Sequence, residues 1–308
     1  MALFPFRKKA APVAAPIGQA AQLEAFLKGY SIEVMPRTAE KIPDFRAILP
    51  AGTRVYVAHI EGTPIEDMVA TARRVGAEGF TAMPHFPARI IKDKATLLDW
   101  VARYRDAGVR QGLILAGGLP QPQGDYATSM QLLESGAFDG FERLHVAGHP
   151  EGNKDIDPDG SDRMVMEAAR WKAAFAERTD AQMAMATQFC FDSQPVIDWV
   201  NRLAAENIAL PVHIGIAGPA KLQTLIKFAI ACGVGPSLKV LQKRALDVSK
   251  LLTPYEPTEL LADLAAQKAA NPGFGIEQVH FFPLGGIKTN AEWVTANGGA
   301  SGKPARAA

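Results

Sequence analysis

Along the chain, short apolar runs alternate with stretches whose apolar residues recur every three or four positions, and the alternation repeats about eight times without a long linker. Apolar, β-branched runs of about four to eight residues between turn signals suit strands covered on both faces. They predict strands over Ser31 to Met35, Arg54 to His59, Gly79 to Met83, Gly112 to Leu115, Arg143 to Ala147, Met183 to Phe191, Pro211 to Ile216 and Gln278 to Leu284. The periodic stretches predict amphipathic helices. Ile65, Met68, Val69, Ala72 and Val75 form one stripe, Leu97, Leu98, Val101 and Tyr104 a second, and Val196, Ile197, Val200 and Leu203 a third. A helix-like segment from Ser237 to Leu252 puts two helices between the seventh and eighth strands. Regular strand–helix alternation signals a parallel sheet, and eight strands favour a closed (β/α)8 TIM barrel over an open one.

Composition narrows this picture without redirecting it. At 308 residues and 48% hydrophobic content, the chain can bury the core of one barrel or of two smaller domains. Its 33 basic and 32 acidic residues leave a formal charge of +1, which gives no electrostatic reason to expect nucleic acid. Cys190 and Cys232 lie in apolar segments without metal-type spacing, so both are expected to be structural thiols in a reducing, cytoplasmic setting. The start carries Phe4-Pro5-Phe6-Arg7-Lys8-Lys9 and an Ala/Pro-rich spacer, not the apolar core of a secretory signal. No later run approaches the roughly 18 apolar residues of a membrane span. The expected organisation is a flexible arm over 1–22, a single catalytic barrel over 23–296 and a flexible tail over 297–308, with no membrane partner and with a homo-oligomer left open.

In such a barrel, chemistry sits where strands end and loops begin. Glu33 lies on the first strand among apolar neighbours, where burial is expected to raise its pKa and suit it to general acid work; an ion pair with Arg37 or a barrel lysine is the structural alternative. The six histidines, His59, His85, His145, His149, His213 and His280, fall in or just after strands. A metal-dependent barrel hydrolase is therefore a rival reading, although Glu33 stands where such enzymes carry a His-x-His pair. Gly117-Gly118 would let backbone approach a flat or phosphorylated ligand, or simply make a tight turn, and Gly285-Gly286 is equally unspecific. Lys172 either reaches a pyrophosphate or is solvated. Neither a Gly-x-Gly-x-x-Gly fingerprint nor a Walker loop is present. In Ala186-Thr187-Gln188-Phe189-Cys190-Phe191-Asp192, the Gln188 amide needs partners inside a barrel and Asp192 stops the strand and caps the next helix.

Taken in order, these segments resemble the methylenetetrahydrofolate reductase family of barrel flavoproteins from about Ser31 to Asn290. Ser31-Ile32-Glu33-Val34-Met35-Pro36-Arg37-Thr38 resembles the family's first strand, whose glutamate is its proposed general acid. Met83-Pro84-His85-Phe86 is similar to Ala-Pro-His-Leu, Ala116-Gly117-Gly118-Leu119-Pro120 to Arg-Gly-Asp-Leu-Pro, and Asp125-Tyr126-Ala127 to the Tyr-Ala that follows it. Gly148-His149-Pro150-Glu151-Gly152-Asn153 is similar to Ala-Tyr-Pro-Glu-x-His. Ala168-Ala169-Arg170-Trp171-Lys172 resembles the helix whose lysine meets the FAD diphosphate. Thr187-Gln188-Phe189-Cys190-Phe191-Asp192 resembles Thr-Gln-Phe-Phe-Phe-Asp, whose glutamine binds the pterin, and Val279-His280-Phe281-Phe282-Pro283-Leu284 the closing strand.

The resemblance implies FAD as cofactor, a folate substrate, and NAD(P)H or another electron carrier as partner. It implies Glu33 as catalytic residue, Gln188, Gly118 and Leu222 near substrate, and His59, His85, Ala116, Gly117, Gly118, Tyr126, Ala127, His149, Asn153, Asp162 and Lys172 near FAD. Gly118 replaces the family's aspartate; losing that anion is expected to raise the flavin potential and favour oxidation of 5-methyltetrahydrofolate. Leu222 stands where a gapless alignment places the family's stacking aromatic, which weakens the expectation of nicotinamide use. His149 and Asn153 replace a tyrosine and a histidine at the FAD edge. The second rival is a flavin- or folate-binding protein without turnover.

Overall fold

The computed structural model describes residues 17–232, 234–246 and 253–299. Eight parallel strands close into a barrel in sequence order: β1 (Ser31–Val34), β2 (Arg54–Val57), β3 (Thr81–Pro87), β4 (Gln111–Leu115), β5 (Arg143–Gly148), β6 (Gln182–Cys190), β7 (Val212–Ala217) and β8 (Ile276–Phe282), with β8 pairing back onto β1. The helices are α1 (Ile17–Leu27), α2 (Pro36–Ala39), α3 (Ile65–Ala77), α4 (Lys94–Asp106), α5 (Ser129–Glu134), α6 (Arg163–Ala176), α7 (Ser193–Ala205), α8 (Leu222–Ala231), α9 (Gly235–Ala245), α10 (Thr258–Ala270) and α11 (Ile287–Ala296).

Every expected strand forms, with shifted ends. The third runs four residues past Met83, so Pro84 and His85 lie within the sheet and not in the loop after it. Three described helices, α8 to α10, separate β7 from β8, where two were expected, and 247–252 of the expected segment fall outside the described residues. α1 begins at Ile17, so 17–22 belong to a helix and not to an arm; 1–16 and 300–308 lie outside the described residues. Asn297–Gly299 close α11, and Gly299 lies close against Val294 and Leu27. The helical stripes bury as their period requires, with Met68, Val69, Ala72 and Val75 inward on α3 and Val196, Val200 and Leu203 inward on α7. Leu98 is the exception: it is 46% exposed, while Leu97, Val101 and Tyr104 carry the inner face of α4.

Outward strand residues such as Ile32, Val34, Val55, Val57, Val279 and Phe281 join the helices in one large core. A second, smaller core forms beside the ends of β6 and β7, where Phe189, Phe191 and Ala217 meet Leu222, Leu225 and Leu241 of α8 and α9 and Tyr255. The barrel interior is unusually polar. At its lower end Arg54 donates to Gln111 Oε1 and to Gln278 Oε1, both at 2.9 Å. Above this plug, Tyr56 meets Met83, Leu113 and Ala186 and places its hydroxyl 2.5 Å from His145 Nδ1.

Burial drives His145 well below its ordinary pKa, so its neutral ring accepts the Tyr56 hydroxyl proton at Nδ1. Removing one partner of such a buried pair strands the other. Tyr56→Phe is therefore expected to cost about 1–3 kcal/mol, measured by denaturant unfolding; an unchanged midpoint would show that the bond contributes nothing.

Candidate active site at the barrel mouth

Strand alternation brings Glu33, His85 and His280 together on the interior face of β1, β3 and β8. Ser31 Oγ lies 2.9 Å from His280 Nδ1. Burial lowers the His280 pKa, and a neutral ring that accepts the Ser31 proton at Nδ1 presents Nε2–H to Glu33. The Glu33 carboxylate stands 3.3 Å from His85 Nε2 and 3.8 Å from His280 Nε2. Burial alone would push this carboxyl up, but the attraction of His280 and His85 outweighs it and holds it at about 2. Both contacts are longer than well-made hydrogen bonds, so charge and dipole attraction at low dielectric carries the effect. The expected upward shift is thus reversed, because the sequence around Glu33 does not reveal two histidines 52 and 247 positions away. Glu33 pairs with these histidines, not with Arg37.

Beside this cluster, His59 donates Nε2–H to Thr63 O at 3.0 Å and lies over Trp100 with ring centroids 4.9 Å apart. Burial keeps it neutral, and Nδ1 is left as a buried acceptor with no partner. The segment Ala116 to Ala127 forms the next part of the rim. Arg89 holds it: its guanidinium donates to Leu119 O at 2.5 Å and Ala127 O at 3.2 Å, while its backbone N–H bonds Ala116 O at 2.9 Å. Lys92 O receives Asp125 N–H at 2.9 Å. Arg89 and Lys92 belong to no motif, and the one signal for them in the sequence is an arginine just after a strand. Within the segment Gly117 takes φ +95° against Pro87, Gly118 is exposed with nothing within 4 Å of where a Cβ would stand, and Tyr126 packs its ring on the main core.

On the β5 side, Lys172 of α6 is 5% exposed and donates to Ala147 O at 2.8 Å. Burial lowers its pKa to about 8. The solvated alternative for Lys172 therefore does not hold, since α6 turns this side chain inward with Val165, Met166 and Ala169. Burial beside the Lys172 charge holds His149 at about 3, hence neutral. Asn153 is committed to its own turn, accepting Asp155 N–H at 2.9 Å. Asp162, expected near the cofactor, makes an ion pair with Arg202 of α7. The N-terminus of α6 is instead served by Asp157, which accepts Met164 N–H at 2.9 Å and Val165 N–H at 3.0 Å. Glu151 accepts from both the backbone N–H (3.1 Å) and the hydroxyl of Ser237, and Ser237 Oγ receives Phe191 N–H at 2.9 Å. This link fastens α9 to the ends of β5 and β6.

Gln188 stands at the end of β6, where the β6–β7 register shifts between Ala186 and Phe189. Thr187 bridges the irregularity, accepting Gly215 N–H at 2.8 Å and donating to Gln188 O at 2.9 Å. A Cβ at Gly215 would fall 2.4 Å from Thr187 O, so only glycine permits this approach. Asp192 caps α7 through Gln194 N–H at 3.0 Å, as its position implied.

Leu222, expected near substrate, is 3% exposed and enclosed in the second core. Gly285 serves packing, since a Cβ there would stand 2.0 Å from Pro219 O. Cys190 is buried and its thiol is pushed up by burial, whereas Cys232, expected to be a structural thiol, is exposed after the end of α8. Among the described residues no three His, Cys, Asp or Glu side chains are grouped to hold a metal ion, and no helix is long and apolar enough to cross a membrane.

No family model matches the chain. Among solved structures, a Clostridium thermocellum protein described as uncharacterized and as binding two copies of 5-methyl-5,6,7,8-tetrahydrofolic acid superposes with a TM-score of 0.51 at 9% identity, covering 91% of this chain and 97% of that one. The fold is a (β/α)8 barrel. A Yersinia pestis DHPS with a pterine-sulfa conjugate gives a TM-score of 0.43 at 12% identity over 87% of this barrel and 91% of that chain. A phosphoenolpyruvate phosphomutase from Streptomyces platensis subsp. rosaceus gives 0.40 at 16% identity over 64% and 72%. At these identities the likeness is one of fold.

Chemically, the mouth offers an ionised carboxylate next to two imidazoles on the β1, β3 and β8 side, a glycine-lined rim after β4, and a desolvated ammonium behind β5. Such a set can move a proton at a ligand held over Glu33 and can neutralise an anionic group lying toward Lys172.

Proposed function

We propose that this barrel is a flavin-dependent oxidoreductase that interconverts 5,10-methylene- and 5-methyltetrahydrofolate and works in the direction of 5-methyltetrahydrofolate oxidation. The observation that carries the reading is the half-buried Glu33 carboxylate, kept ionised by His280 and His85 at the mouth. Oxidation of the N5-methyl group with ring closure releases a proton from the folate, and an ionised carboxylate is the form that takes one up. The neutral His280 beside it, tied to Ser31, turns its Nε2–H toward the carboxylate and keeps it oriented. Gln188, on the opposite part of the rim, is assigned to the edge of the pterin. The fold likeness to a barrel that binds 5-methyltetrahydrofolate supports the same substrate class.

FAD fits the residues present. The open space beside Gly118, the unfilled buried acceptor His59 Nδ1, and the Lys172 ammonium, for which Ala147 O is the acceptor, are features a large polar anionic cofactor would satisfy. Ala116, Gly117, Gly118, His59, Tyr126 and Ala127 would hold its ring side, and Lys172 with His149 its diphosphate. Bound there, FAD would supply a two-electron acceptor.

The test is the absorbance spectrum of the purified or FAD-reconstituted protein, followed by anaerobic addition of 5-methyltetrahydrofolate and, separately, NADH. Bleaching by the folate and slower or no bleaching by NADH is expected; a protein that takes up no FAD overturns the reading. Gly118→Asp adds a check on direction, because the space around Gly118 accepts the side chain. Its flavin potential is expected to lie below that of the wild type by spectroelectrochemistry, and an equal or higher value would remove the argument for oxidation.

A further inference from the structure

Leu222 is enclosed in the second core and cannot lie against a ligand, yet a flat heterocycle at this mouth needs a surface to rest on. β8 provides a candidate. Along this strand Gln278 and His280 face the barrel interior, the first bonded to Arg54 and the second to Ser31. The alternation of a strand puts Phe282 on that same face, at the mouth end. Its ring meets His280 at 4.9 Å and Phe189 at 5.4 Å, with interplanar angles of 80° and 70°. These edge contacts fix the plane of the ring, and none of the described rings lies parallel to it. Phe282 is also only half-buried, whereas Tyr56 and Phe189 are enclosed. The backbone there is held, since Phe282 O accepts Gly218 N–H at 2.9 Å and Leu284 N–H at 2.8 Å.

From this placement we infer that Phe282 is a specificity-determining residue, supplying the aromatic face against which the reduced pterin ring of the substrate lies. The inference rests on the folate reading above. A ring on Phe282 has the His280–Glu33 pair beside it, so one strand end would both seat the heterocycle and bring it to the proton-handling group. Aromatic contact of this kind is sequence-economical, requiring one ring on an interior strand position.

The experiment is anaerobic calorimetry of the full chain with 5-methyltetrahydrofolate, with a tetrahydropterin lacking the side chain, and with p-aminobenzoylglutamate, which lacks the pterin. Phe282→Leu is expected to weaken the first two about fivefold or more, the size of one lost aromatic contact, and to leave the third unchanged; Phe282→Tyr restores binding. Phe228→Leu, at an aromatic 36% exposed on α8, is expected to bind as the wild type does. Should Phe282→Leu fail to fold, Phe282→Met carries the test, because a flexible apolar chain refills the second core. Unchanged pterin binding in the Phe282 variants, equal losses for all three ligands, or a loss in Phe228→Leu overturns the inference while leaving the folate reading intact. A wild-type protein that binds neither folate nor pterin removes the folate reading itself.

Discussion

Glu33→Gln is expected to lower folate-dependent turnover by about 10²–10⁴-fold, the usual worth of a positioned proton-transfer group, with the Kd for 5-methyltetrahydrofolate nearly unchanged. Glutamine keeps the volume and an oxygen acceptor for His280 and His85, and it loses the negative charge and the capacity to take up a proton. Stopped-flow reduction and equilibrium binding on the same preparation separate the two effects. A variant that still turns over at the wild-type rate would show that Glu33 is only a structural partner of the histidines; one that loses binding and rate equally would make it a binding residue.

The pH dependence gives a second readout of the same group. The folded-state pKa of Glu33 is held at about 2, below its ordinary value of 4.5. The unfolded chain therefore binds more protons between those values, and the stability that ionised Glu33 contributes is present above about 4.5 and lost as pH falls toward 2. Glu33→Gln is expected to flatten the fall in thermal midpoint across that window. An equally steep fall in the variant would place the acid sensitivity elsewhere.

Lys172→Met is expected to weaken FAD binding by about 10- to 100-fold, the worth of one hydrogen bond to a charged group at a partly desolvated site. The apo protein should be no less stable, because a buried ammonium anchored to Ala147 O is replaced by an apolar chain of similar length. The sign of the pH effect follows from burial. Lys172 is lowered to about 8 from 10.5, so the unfolded chain binds more protons in that interval and stability rises with pH across it. Affinity for an anionic diphosphate moves the other way, falling as pH passes about 8 and the free lysine loses its charge. Both dependences should disappear in Lys172→Met. Flavin affinity that is insensitive to this substitution would remove Lys172 from the cofactor site and leave it a tie between α6 and β5.

The barrel, the order of its eight strands, the faces of most helices and the presence of Glu33, Gln188 and the Gly117-Gly118 turn at strand ends are all legible in the chain. These depend on local period and turn chemistry, which are legible over about ten residues. Asp192 is legible as a helix cap too, since capping involves residues two or three apart.

The protonation and partners of these groups come from contacts between distant parts of the chain. Ser31 reaches His280 across 249 positions and Tyr56 reaches His145 across 89, so neither network leaves a mark in any short window. The charge of Glu33 follows from histidines on β3 and β8, the low pKa of Lys172 from the side of α6 it occupies, and the enclosure of Leu222 from the second core that α8 and α9 complete. Tertiary contact likewise pairs Asp162 with Arg202 and brings Asp157 to the N-terminus of α6. Periodicity fixes which residues face inward; which inward residues meet, and what that does to their protons, is set by closure of the barrel.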